Sequence, residues 1–375
     1  MTIKSTSPLF RLLFCCLVVF CCSRALPGQV RPTWNPKKTW VFLVCLLEWQ
    51  DSSSNPSFPA KNRKDVVLVD RLRRSGVPED QILYLADRAA TTASVKEQFD
   101  SFLKKAAPDD WVLVYFAGHG YKTDDGKPYL ATYDVSTGTL GWAFEEIPDA
   151  IEKNFVGSHA VIALDNCYSG AMANAVKKRN RRVSYAVLAS SLASQESTGN
   201  WTFTESLISA FSGSPIADAN HDGVVSMAEL GRNSEAEMLF VEEQVATIAF
   251  TGSFDPQIII AKAAARPFDR FGDRVEAFSE NGWYKAYLID KRPDSFKVHF
   301  YGYDSSEDQW VPVDKIRSAR LLQYAIGSKV LVEWKKKWYA ATVVDVKGGS
   351  HFITYTGYGH EWDEWVATNR IKPIE

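Results

Sequence analysis

The chain has 375 residues, 46% hydrophobic and 23% charged, enough for a sizeable core and for two or three domains. Its 43 Lys and Arg stand against 45 Asp and Glu, a formal net charge of −2, which excludes bulk electrostatic attraction to nucleic acid. Four of the 6 cysteines (Cys15, Cys16, Cys21, Cys22) crowd the N-terminus and only Cys45 and Cys167 follow, which excludes a disulfide-stapled scaffold.

Residues 1–25 read as a secretory signal peptide. Lys4 and Arg11 give a positive start, Leu12–Cys22 an apolar stretch, and Ser23-Arg24-Ala25 the small residues of a cleavage site. At about 1.5 Å per residue the stretch is too short to cross a ~30 Å hydrocarbon core as a helix. The cysteines leave lipid attachment open, either as a bacterial lipoprotein or by palmitoylation. The expectation is therefore a secreted or cell-envelope protein. Residues 26–38, with Pro27, Gly28, Pro32 and Pro36, read as a linker.

From residue 39 to 265 strand and helix signals alternate. Trp40–Leu47, Ile82–Leu85, Trp111–Phe116, His159–Leu164 and Ser184–Ala189 are apolar runs of strand length. Between them Asn62–Arg74, Thr92–Lys105, Glu145–Lys153 and Phe203–Phe211 carry helical spacing. Such alternation predicts an α/β domain with a mainly parallel sheet covered by helices. Cys45 sits inside the first apolar run and reads as a buried strand thiol. His159, at a strand start, reads as structural.

Two of these runs end in reactive residues. Trp111–Ala117 leads into Gly118-His119-Gly120, and Ala160–Leu164 into Asp165-Asn166-Cys167-Tyr168-Ser169-Gly170. Ligands of open α/β sheets bind at the carboxyl ends of the strands, and an imidazole and a thiol there can form a base–nucleophile pair. The two motifs, 48 residues apart, resemble the caspase-like cysteine peptidases, in particular the metacaspase and bacterial caspase-homologue branch, over residues 38–262. The resemblance extends to Ala186–Ser197 and Phe203-Thr204, where a strand ends in small residues.

The resemblance implies a caspase-type fold and a Cys–His endopeptidase working through an acyl-enzyme. His119 would take the proton of Cys167, and the backbone N–H groups of Gly120 and Cys167 would hold the oxyanion. Asp165, Ser190 and Ser191 would line the substrate pocket, with Asp165 selecting Arg or Lys through charge-assisted contacts. In Ala193-Ser194-Gln195-Glu196-Ser197 the second acid of that pocket is not at the position the resemblance leads one to expect. The basic run Lys177–Arg182 is either a solvated loop or a self-cleavage site. The alternative is a non-catalytic binding protein with an inactive peptidase scaffold.

Asp218-Ala-Asn220-His-Asp222-Gly223-Val224-Val-Ser226-Met-Ala-Glu229 matches the 12-residue EF-hand loop. Asp218, Asn220, Asp222, Val224, Ser226 and Glu229 would ligate Ca2+, more as a clamp than as a sensor.

Residues 271–375 repeat themselves at an offset of 55. Gly272, Val275, Trp283-Tyr284, Ala286, Gly302-Tyr303, Asp308, Trp310-Val311 and Ile316 recur as Gly327, Val330, Trp338-Tyr339, Ala341, Gly357-Tyr358, Asp363, Trp365-Val366 and Ile371. Short alternating strands predict two small SH3-like β-barrels, at 270–318 and 325–375. The repeated elements resemble the Tudor-knot and Agenet group, in which an aromatic cage can hold a methylated cation. Cage candidates are Trp283, Tyr301, Tyr303 and Trp310, then Trp338, Tyr355, Tyr358 and Trp365. The expected partners are a protein or peptide substrate and an unidentified barrel ligand. Nucleic acid is not among them, and membrane contact would come only through a lipid anchor.

Overall fold

Six strands, Thr39–Cys45 (β1), Ile82–Ala86 (β2), Trp111–Ala117 (β3), His159–Asp165 (β4), Ser184–Ala189 (β5) and Thr247–Thr251 (β6), pair in the order β6-β5-β4-β3-β1-β2. The computed structural model describes residues 31–61, 63–136, 138–179, 182–303, 305–319, 323–347 and 349–374. The signal and lipid expectations, with Cys15, Cys16, Cys21 and Cys22, lie outside the described residues, as does part of the 177–182 loop. Among the described residues no helix is long and apolar enough to cross a membrane.

Strands β1 to β5 are parallel, and β6 runs antiparallel beside β5. Successive side chains of a strand point to opposite faces, so an unbroken apolar run needs cover on both. On one face Phe42 and Val44 of β1 pack with Phe99, Ile151 and Met172, carried by helices Thr92–Leu103 (α2), Glu146–Asn154 (α3) and Ala171–Lys177 (α4). On the other, Val41, Leu43 and Cys45 pack with Leu68, Phe203 and Leu230, carried by Asp65–Arg74 (α1), Thr202–Phe211 (α5) and Met227–Glu242 (α6). The result is a three-layer α/β sandwich.

Four features depart from the sequence reading, the first being the antiparallel edge strand β6, which no apolar run announces. Residues 32–38 are not a free linker. Trp34 is buried against Phe211 at 5.3 Å between ring centroids, and its backbone N–H donates to the Ile259 carbonyl at 2.8 Å. Helix α6 was not expected, because buried Asn233 and Ser234 interrupt its apolar face. The first helix starts at Asp65 rather than Asn62, because Arg63 and Asp65 form an ion pair at 2.7 Å that turns the chain there.

After residue 272 come two modules, each a five-stranded antiparallel sheet around its own small core. The first uses Arg274–Ser279, Gly282–Lys291, Ser295–Phe300, Gln309–Pro312 and Ile316–Ser318. The second uses Lys329–Trp334, Lys337–Lys347, Ser350–Tyr355, Glu364–Val366 and Ile371–Pro373. The repeat holds in three dimensions: a register shift between Leu288 and Asp290 recurs between Val343 and Asp345. The first module sits on α6. Arg274 donates to Asn233 and Glu237 at 2.8 and 2.6 Å, Tyr301 to Glu237 at 2.7 Å and Lys285 to Glu243 at 3.0 Å. The second reaches α6 through Lys347–Glu235 at 2.7 Å. It reaches the loop after β5 through Gln195, whose amide donates to Glu364 at 3.4 Å and to the Trp365 carbonyl at 3.5 Å.

Candidate active site

Ala117 at the end of β3 and Asp165 at the end of β4 are register partners. His119 and Cys167 therefore each stand two residues beyond a shared sheet edge, on chains about 4.8 Å apart. The approach is tight. A Cβ on Gly120 would run into the Asn166 amide and the Cys167 carbonyl, so only glycine lets the His119 segment lie this close. Tyr168, directly after the cysteine, takes a left-handed φ of 61°, a strained turn of the kind that gathers at functional sites.

The sulfur of Cys167 is wrapped by backbone donors. The Ser197 N–H points at it from 3.3 Å. Burial pushes the thiol above its ordinary range; the Ser197 N–H opposes this, the Glu196 charge reinforces it, and the N–H groups of Gly120 and Cys167 pull back again. The resting side chain is thus a neutral thiol. The loop supplying Ser197 is tied down by Tyr168 N–H to the Gln195 carbonyl at 2.8 Å and by the Thr198 N–H to the Gln244 side chain at 3.0 Å.

His119 does not hydrogen-bond Cys167. Its ring is sandwiched between Trp49 and Phe58, at centroid distances of 4.4 and 4.5 Å, and its Nε2 lies 2.8 Å from the Pro56 carbonyl. A carbonyl accepts only, so Nε2 carries the proton and the lone pair is left on Nδ1, the atom available as a base. The covering loop is itself held. Trp49 donates to the Ala131 carbonyl at 3.0 Å, and the Phe58 N–H to the Leu47 carbonyl at 2.8 Å. Arg63 bridges Asp65 and Asp87, and Asp87 accepts the Leu47 N–H at 2.8 Å. Sequence reasoning missed Trp49, Pro56 and Phe58, because nothing local ties them to His119.

Asp165 accepts from Thr204 Oγ1 at 2.7 Å, and the Thr204 hydroxyl also meets Tyr115 at 2.6 Å. Burial pushes its carboxyl up to about 7; the Thr204 and Ser190 hydroxyls oppose that, and the Glu242 charge adds to it. Glu242, at the end of α6, is an acid near enough for its charge to act on Asp165, and it accepts from the Asn200 amide at 3.0 Å. The expected pocket residues divide. Ser190 supports Asp165 and meets the Ser197 hydroxyl at 2.9 Å. Ser191, as fully buried as Ser190, accepts the Ser169 N–H at 3.1 Å and donates to the Asn166 carbonyl at 3.1 Å. It braces the cysteine turn. His159 stacks on Trp111 at 4.4 Å and 5°, a structural position.

In the 218–229 loop, Asp218 accepts the Asp222 and Gly223 N–H groups at 3.2 and 3.0 Å, and Asn220 accepts the Asp222 N–H at 2.9 Å. Val224–Ser226 pairs with Ile259–Lys262. Glu229 and Ser226 form a capping box that opens α6. The chain's own donors thus satisfy Asp218 and Glu229. Among the described residues no three His, Cys, Asp or Glu side chains are grouped as a metal site.

The expected cages need correction. In the first module no ring contact joins Trp283, Tyr303 and Trp310. Trp283 is capped by Arg317 at 4.0 Å and Trp310 by Arg292 at 3.7 Å, while Tyr301 is the docking residue on α6. In the second, Trp338 lies under Lys372 at 4.2 Å and Trp365 packs on Phe352 at 5.4 Å. Tyr355 and Tyr358 instead join Trp334, Tyr339 and Trp362 in a box of rings 5.7 to 6.4 Å apart, most of them edge to face. At an offset of 55 the first module has Ser279 and Glu307 where the second has Trp334 and Trp362, so its box is incomplete.

The described geometry can be set beside known proteins. No curated protein sequence matches the chain. The crystal structure of protein GSU0716 from Geobacter sulfurreducens is similar at 14% identity and a TM-score of 0.42, covering 61% of this chain and 98% of that one, a likeness too weak to carry an argument. Residues 272–320 match the Agenet domain, and residues 324–373 match the Tudor-knot, described as the RNA binding activity-knot of a chromodomain. The C-terminal part of the chain is therefore an Agenet domain followed by a Tudor-knot domain, behind a mainly parallel α/β domain.

Proposed function

We propose that the chain is a cysteine endopeptidase of caspase-like type whose dyad is His119 and Cys167. One observation carries the reading: two chains leave paired strand ends side by side, one bearing a thiol ringed by N–H donors, the other an imidazole oriented by the Pro56 carbonyl. In the first step Nδ1 of His119 takes the thiol proton and the sulfur bonds to the substrate carbonyl carbon. The N–H groups of Gly120 and Cys167 hold the oxyanion. Collapse breaks the C–N bond, the proton passes from His119 to the leaving amine, and a thioester remains. Water then attacks, giving its proton to His119, and the acid product leaves as the thiol is restored.

The ionised carboxylate of Asp165, with Glu242 behind it, favours Arg or Lys before the cut. Calcium is a subsidiary proposal. Asp218, Asn220, Asp222, Ser226 and Glu229 supply the oxygen set that Ca2+ takes, and the ion would act by bracing the start of α6. The Agenet and Tudor-knot domains point to protein partners. The test is a panel of internally quenched peptides varied at the residue before the cut, with Cys167→Ala as control. Cleavage after Arg or Lys that vanishes in Cys167→Ala supports the reading, and equal turnover by the variant overturns it.

A further inference from the structure

The aromatic box of the second module does not face away from the α/β domain. It opens into a cleft of about 840 Å³ whose far wall includes Tyr168, Gln195 and Glu196. Tyr168 follows the nucleophile directly, and Glu196 is close enough to raise its pKa. The cleft is acidic. Its lining contains seven carboxylates, among them Glu242, Glu333, Glu361 and Asp363, against Lys122, Lys335 and Arg370. Arg370 and Glu364 pair with each other at 2.7 Å and Glu243 pairs with Lys285 at 3.0 Å, which leaves five carboxylates against Lys122 and Lys335. Asp363 has one carboxylate oxygen that is buried and meets no donor of the chain.

Rings set edge to face with carboxylates behind them form a site for a cation: the ring faces attract it and the acids supply the counter-charge. Two of the rings, Tyr358 and Trp362, are about half exposed, 51% and 48%, so a side chain can enter from the cleft. The same charge repels phosphate, which sets this surface against RNA.

We propose that this cleft, running from the aromatic box to Tyr168 beside the cysteine, holds one extended basic peptide whose end passes on to Cys167. A lysine side chain, plain or methylated, enters the box while a second basic residue sits at Asp165 before the cut. The inference rests on the peptidase reading and extends it: the second module selects the substrate of the neighbouring catalytic site, whereas the first, with its box incomplete, does not.

The test uses the full chain and internally quenched peptides with one arginine at the cut. They carry lysine, trimethyllysine or norleucine at increasing spacings on either side. At one spacing the lysine peptides should have a KM roughly 10-fold below the norleucine peptide. Tyr358→Ala or Trp362→Ala should erase that difference while leaving a short peptide with the arginine alone unchanged, and Tyr358→Phe should keep it. Lysine and norleucine peptides cut alike at every spacing would overturn the proposal. So would box variants that slow short and long peptides equally. If the wild type cuts nothing, fluorescence anisotropy with Cys167→Ala separates the two ideas. Tighter binding of the lysine peptide that depends on Trp362 keeps the cleft and removes the peptidase. Binding indifferent to lysine removes the cleft as well.

Discussion

Asp165→Asn isolates the cost of the buried carboxylate from its use. The carboxyl is pushed up to about 7 by burial, against roughly 3.9 for an ordinary aspartate, and the gap corresponds to about 4 kcal/mol. The side chain keeps some contact with solvent, so about half of that, about 2 kcal/mol, is the expected effect. The folded-state pKa is raised, so the native chain holds its proton longer than the unfolded chain. This contribution is fully present below the ordinary carboxyl range, declines as pH rises through the window up to about 7, and is lost above it. Asp165→Asn removes the decline. Urea midpoints measured at pH 4 and pH 8 should show the variant gaining about 2 kcal/mol on the wild type between the two. Cleavage after arginine should fall in the same protein. A variant that gains nothing over this range would show that Asp165 is not a buried acid, and the basic preference built on it would go too.

Gly120→Ala puts a methyl against the Cys167 carbonyl; the displaced backbone should cost about 100-fold in kcat/KM and lower the melting temperature as well, and a variant with unchanged activity would show that the two segments are not held this close. Phe58→Ala opens one side of the His119 sandwich. Ring contacts of this kind are worth about 1 kcal/mol, so kcat should fall several-fold at constant KM, and a rise in KM instead would mean that Phe58 contacts substrate. If the 218–229 loop binds calcium, adding the ion at about 100 times its dissociation constant should raise stability by about 2.7 kcal/mol. The gain should disappear in Asp218→Asn, and a wild type indifferent to calcium and chelator would withdraw the ion. Activity on arginine peptides should rise from pH 6 to pH 8 as Asp165 ionises through about 7, read from kcat/KM; a flat profile would separate Asp165 from substrate charge.

Five of the six strands were legible because they are short, largely apolar and bounded by turn residues, as in Trp111–Ala117; the half-buried edge strand Thr247–Thr251, with threonine at both ends, was not. A periodic pattern of that kind is local. The same holds for the 55-residue repeat, where Trp283 and Trp338 mark equivalent positions in each copy. What stayed hidden depends on distant pairings. Pro56 meets His119 across 63 residues, and Glu242 affects Asp165 from the far end of an unforeseen helix. Ser191 looked like a pocket residue because its neighbours are small, but a small hydroxyl also suits a brace between two turns. The box residues Trp334 and Trp362 were passed over because they fall outside the repeated positions, and that very departure from the repeat gives the second copy its open rings.

The first module is bolted to α6 by Arg274, Tyr301 and Lys285, and the second braces on Glu235 and Gln195. The distance from the ring box to the sulfur is therefore set by folded parts and not by slack chain. A reader on a leash lets the blade fall anywhere within reach. If the chain cleaves as proposed, a reader fixed in place makes the cut fall at a constant stride from the residue gripped, so fragments released from one polypeptide should share a common spacing.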